Sequence, residues 1–127
     1  MANSNTTGTG IGEFIFAADS LTRAPLVVST SAVTVYEIYL AYGASSSDGG
    51  FKAYDLGGGS TLTVGTTSPD FTLFWDGSVW GTGADRRFVF PDGITFANGL
   101  VIAASGQAGK TASGDPAATL VVKMIYK

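Results

Sequence analysis

The stretch Val33-Thr34-Val35-Tyr36-Glu37-Ile38-Tyr39-Leu40-Ala41-Tyr42 decides the fold class. It contains no Gly or Pro and is dominated by β-branched and aromatic side chains, so it reads as one long strand. In an unbroken strand alternate side chains take opposite faces. Val33, Val35 and Tyr39 then share one side, and Tyr36, Ile38, Leu40 and Tyr42 the other. Both sides are apolar apart from the neighbourhood of Thr34 and Glu37. Such a strand is expected at the centre of a sheet, or against a partner that covers its second face.

The same period and punctuation recur outward from it. Further strands are expected at Glu13 to Ala17, Leu26 to Ser29, Phe51 to Leu56, Thr61 to Val64, Phe71 to Trp75, Arg87 to Phe90, Leu100 to Ser105 and Thr119 to Tyr126. Asp48-Gly49-Gly50, Asp76-Gly77 and Asp92-Gly93 read as turns, where Gly supplies positive φ. Gly57-Gly58-Gly59-Ser60 reads as a flexible connection. The last strand places Leu120, Val122, Met124 and Tyr126 on one face and closes a sheet. Every window long enough for a helix is interrupted by Gly, Pro or β-branched residues. The expectation is an all-β, antiparallel β-sandwich or jelly roll of about eight strands with no substantial helix. Residues 13–127 form its single domain. Residues 1–12, polar and Gly-rich, are expected to be a flexible N-terminal arm.

Composition narrows the function classes. With 127 residues, 45% of them hydrophobic, one core can form without staples. No Cys is present, so disulfides and thiolate metal sites are excluded. No His is present either, which removes the usual general base near neutral pH and makes a Ser-His-Asp triad impossible. Charged residues make up 13%, about half the share of roughly 25% usual in soluble domains. A surface of Ser, Thr, Gly and Asn suits a protein packed against copies of itself or a scaffold. The net charge is −3 and the cations are scattered apart from Arg86-Arg87, so no nucleic-acid partner is expected. No apolar run reaches the ~20 residues of a membrane span. The first residues have neither a basic flank nor an apolar core, so no Sec-type signal is expected there.

Candidate chemistry is sparse. Ala104-Ser105-Gly106-Gln107-Ala108-Gly109-Lys110-Thr111 approaches a phosphate-binding loop, but Gly114 and Pro116 interrupt where a helix must begin. No nucleotide and no other cofactor is expected. Asp48, Asp76 and Asp92 each precede Gly as turn residues, and no EF-hand loop is present; a calcium ion at one Asp-rich loop stays open. Glu13 and Glu37 are the only glutamates. Glu37 could serve a glycosidase if burial raised its pKa, and reads better as a solvated or paired carboxylate. Trp75 and Trp80 flank a turn and could stack on sugars, or pack across strands. The candidate interface residues are Val33, Tyr36, Tyr39, Trp75, Trp80, Arg86 and Arg87.

The second half carries a resemblance. Leu73-Phe74-Trp75, then Arg87-Phe88-Val89-Phe90-Pro91-Asp92-Gly93-Ile94-Thr95-Phe96, then Asn98-Gly99-Leu100-Val101-Ile102-Ala103-Ala104-Ser105, resembles the closing half of small virion proteins of tailed bacteriophages. These include head-decoration, or cement, proteins with jelly-roll or sandwich domains. The resemblance spans roughly residues 71–127. It implies a non-catalytic protein in many copies on a capsid, often as trimers, partnered by the major capsid or another virion protein. It implies a virion location after assembly in the host cytoplasm. The alternative is a carbohydrate-binding module or receptor-binding tip using the tryptophans.

Overall fold

The computed structural model describes residues 3–7, 14–18, 20–43, 48–58, 62–75, 85–106, 114–117 and 119–127. Within them lie β1 (Asn3–Thr7), β2 (Phe14–Ala18), β3 (Leu26–Ser29), β4 (Val33–Tyr42), β5 (Gly49–Tyr54), β6 (Phe71–Trp75), β7 (Asp85–Phe96), β8 (Leu100–Ser105) and β9 (Leu120–Tyr126). No helix occurs among the described residues.

The strands build a five-stranded sheet, β1-β2-β9-β4-β7, and a four-stranded sheet, β3-β8-β5-β6. The antiparallel pairs are nested: β2 with β9, β3 with β8, β4 with β7, and β5 with β6. A chain paired in this way is one long hairpin rolled up on itself, which is the jelly roll. β1 is an addition, paired with β2 at the outer edge. The link between β2 and β3 stitches the sheets together: Leu21 N–H donates to the Leu120 carbonyl and Ala104 N–H to the Thr22 carbonyl, each at 2.9 Å.

The main core fills the space between the sheets. The larger sheet contributes Val33, Val35, Ile38, Leu40, Tyr42, Phe96, Leu120, Val122, Met124 and Tyr126; the smaller one Phe51, Trp75, Leu100 and Ile102. The face expected for β9 is therefore the inward one. Burying a single such side chain stabilises the fold by roughly 1.5–3 kcal/mol.

Strict alternation fails in β4. Val35 pairs with Tyr126 and Glu37 with Ile125, so Tyr36 is an extra residue, a β-bulge. The bulge reverses the side-chain parity. Val33, Val35, Ile38, Leu40 and Tyr42 all point inward, while Thr34, Tyr36, Glu37, Tyr39 and Ala41 point outward. The expectation of two apolar faces on this strand is corrected, because one inserted residue collects the aliphatic side chains on one side. Opposite Tyr36, β7 bows as well: residues 90–93 lie between the pairs Glu37–Val89 and Val35–Ile94. Asp92-Gly93 is thus no turn between strands. It is an excursion within one strand of 12 residues, with Gly93 at φ 76° and Thr34 Cγ2 where a Cβ would sit.

Other boundaries also move. Asn3–Thr7, read as part of a flexible arm, is a strand, since its backbone groups pair along the β2 edge. Leu62 to Val64 is not a strand. It folds over the smaller sheet instead, with Leu62 buried against Tyr54, Val101 and Ala103 in a second, smaller core. β5 and β8 are consequently buried on both faces. The turn at Asp76-Gly77 and the loop carrying Lys110 lie outside the described residues.

Candidate interaction surfaces

The two sheets differ in what covers their outer faces. The middle strands of the smaller sheet, β5 and β8, are covered by the chain itself, through Leu56, Leu62 and Val64, while Val27 on β3 and Phe74 on β6 are each 40% exposed. Lys52 lies on that covered side of β5, 0% exposed, and burial pulls its ammonium below the usual lysine pKa of 10.5. Tyr54, two residues on, is also enclosed, and desolvation raises its phenol above 10.0. The larger sheet has a different exterior. Its outward positions on β4 are half-buried, and flanking positions on β7 and β9 are exposed or half-buried.

Cross-strand register builds a row on this exterior. Lys123 of β9, Tyr39 of β4 and Arg87 of β7 lie side by side. Lys123 Nζ sits 6.0 Å from the centroid of the Tyr39 ring, within cation–π range. Tyr39 donates its hydroxyl proton to Asp85 Oδ2 at 2.9 Å. That hydrogen bond, with desolvation and the Asp85 charge behind it, raises the Tyr39 pKa above 10.0. Arg87 Nε donates to Glu37 Oε1. Glu37 is thus a paired carboxylate on this outer face. Beside it, Ile125 and Val89 add apolar area, Val89 being 56% exposed. The result is a face on which Arg87 is ion-paired with Glu37, Lys123 and Asp85 both contact Tyr39, and aromatic and aliphatic surface lies between them.

The candidate interface residues divide accordingly. Tyr36, Tyr39 and Arg87 belong to this outer face. Arg86 is exposed on β7, beside Leu40 in register. Val33 and Trp75 are only 6% exposed and belong to the core between the sheets. The placing of these two at an interface is corrected. Val33 is inward by strand parity, and the Trp75 ring packs 5.1 Å from that of Tyr42, at 57°, and directly over Gly49. A sugar-stacking platform that needs the face of Trp75 is not available in this fold. Trp80 lies outside the described residues. Lys123, Ile125 and Val89 escaped the sequence reading because nothing in β7 or β9 alone reveals which strand lies beside it. Among the described residues no three of Asp, Glu, His and Cys converge to hold a metal ion.

No protein-family model matches the chain, and no curated protein matches it. Among solved structures it is similar to the coat protein of Tobacco streak virus in a C2 crystal form. That likeness has 12% identity and a TM-score of 0.42, covering 96% of this chain and 90% of that one. A dimer of the same coat protein gives 10% identity and a TM-score of 0.40, covering 94% and 88%. Likeness at this level is too loose to carry a function across.

Proposed function

We propose that the chain is a non-catalytic virion structural protein, and specifically a bacteriophage capsid decoration protein. The observation that carries this reading is the asymmetry of the two sheets. The middle strands of one are covered by the chain's own segment, and the other offers an open exterior centred on Tyr39. Such a face suits seating against a large, rigid surface. It buries aromatic and aliphatic area around an ion pair, Arg87–Glu37, that is already formed within the chain. The resemblance of residues 71–127 to small phage virion proteins supplies the kind of surface: a shell built of the major capsid protein. Many copies, each held weakly, then reinforce a particle through multivalency. The chain would be found on virions assembled in the host cytoplasm.

Jelly rolls serve as lectins as well as capsid proteins, so the fold alone does not choose between them. The burial of Trp75 weighs against the glycan reading. Two measurements test the proposal together. Gel densitometry of purified particles should find the protein in stoichiometric amounts. Stripped shells should rebind the purified chain but not Ile125→Glu, which places a charge in the seating face. Absence from particles, or glycan-array binding by a protein that ignores shells, would overturn it.

A further inference from the structure

β7 is an edge of the five-stranded sheet, opposite β1, and the order of its residues is self-complementary. Around Val89 the chain reads Arg86-Arg87-Phe88-Val89-Phe90-Pro91-Asp92. Aligned antiparallel with a second copy of itself about Val89, Val89 faces Val89 and Phe88 faces Phe90. Arg87 then faces Pro91, and Arg86 faces Asp92. A two-fold axis produces each of the unlike pairs twice. The pattern is apolar in the centre and opposite in charge at its ends, which is the requirement for an isologous contact.

The structure agrees with such use of this edge. Among the described residues Val89 is the most exposed large hydrophobic, at 56%. Arg86, Arg87, Pro91 and Asp92 are all exposed, while Phe88 and Phe90 are half-buried and pack on the core. Phe90 meets Phe71 of β6 edge-on at 5.6 Å, so the two rings bridge the sheets beside this strand. Up to Phe90 the strand alternates, with Arg86, Phe88 and Phe90 on one side of β7 and Arg87 and Val89 on the other; Pro91 and Asp92 follow, exposed, in the bow opposite Tyr36. From Phe88 to Phe90 the alignment about Val89 keeps each side matched to its own kind. Pro91 has no N–H to donate, so the new ladder loses at most one bond per strand.

We propose that β7 pairs antiparallel with β7 of a second copy, centred on Val89, joining two five-stranded sheets into one. The contact is a property of the isolated chain and does not depend on a role in a virion. It closes at two copies, so a trimer would need another surface. Its occupant is a like chain because a foreign strand would have to match apolar centre and both charge ends at once.

The chain has no cysteine, which makes the test direct. Facing residues of an antiparallel pair have Cα atoms about 4.5–5.5 Å apart, inside the range a disulfide spans. Val89→Cys in the full chain should oxidise to a covalent dimer at low concentration. Val27→Cys, 40% exposed on an edge of the other sheet, should not. Sedimentation of the unmodified protein should show a monomer–dimer equilibrium. Arg86→Asp should weaken it by about tenfold, because symmetry applies the like-charge clash twice. Adding Asp92→Arg to the same chain should restore it. Thermal melting checks that each variant stays folded. A monomer at all concentrations would overturn the proposal: the Pro91-bearing edge would then serve only to block strand addition. Association unchanged by Arg86→Asp, or equal cross-linking at Val27 and Val89, would also overturn it.

Discussion

The bulge at Tyr36 makes a prediction that separates parity from chain length. Two variants each lack one residue of β4, three positions apart. Deleting Tyr36 removes the extra residue and leaves Val33, Val35, Ile38, Leu40 and Tyr42 on one face by simple alternation. The loss is the half-buried outer contact of Tyr36, about 1 kcal/mol from half an aromatic burial. Deleting Tyr39 is different. If the bulge stays, Leu40 and Tyr42, both under 3% exposed, turn outward. At roughly 1.5–3 kcal/mol each, that is about 3–6 kcal/mol. If the bulge is absorbed instead, Ile38 turns outward and Glu37 inward, trading an aliphatic burial for a buried carboxylate at a cost of similar size or more. A domain of this length has only about 5–15 kcal/mol in total. Urea unfolding followed by tryptophan fluorescence should place the Tyr36 deletion near the parent and the Tyr39 deletion at least about 2 kcal/mol below it. Equal midpoints, or an unfolded Tyr36 deletion beside a folded Tyr39 deletion, would refute the claim that this bulge sets the parity of β4.

Gly49→Ala places a Cβ in the Trp75 indole and should destabilise the fold by about 1–3 kcal/mol in the same assay. Lys52 has a folded pKa below 10.5, so the unfolded chain binds the proton more readily between those values. Stability should therefore rise with pH as that window is climbed toward 10.5, and the rise should vanish in Lys52→Met; urea midpoints from neutral pH to about 9 check this, below the range near 10 where tyrosines titrate. Arg87 is 68% exposed against 19% for Glu37. A double-mutant cycle between them should give a coupling below about 1 kcal/mol, further reduced by salt.

The contrast between what was legible in the chain and what was not follows from the range of the forces involved. Alternation in Leu120 to Tyr126, the breakers around Leu26 to Ser29, and the Gly and Pro punctuation are local. They predict an all-β sandwich or jelly roll without reference to any other strand, and β3, β4, β6 and β8 begin and end at the expected residues. The want of histidine and cysteine is equally independent of folding. Polar Asn3–Thr7 looked like an arm because its strand conformation comes from the β2 edge, not from its own side chains. Thr61 to Val64 has strand composition, yet Leu62 is needed as a lid on Tyr54 and Val101. Lys52 looks like any surface lysine until that cover closes over it. The exterior around Tyr39 exists only because Lys123, Glu37 and Arg87, far apart in sequence, are brought together by register. The parity of β4 is the sharpest case. Tyr36 and Glu37 are both acceptable on either face of an isolated strand, and only the registers imposed by β9 and β7 make Tyr36 the residue that bulges.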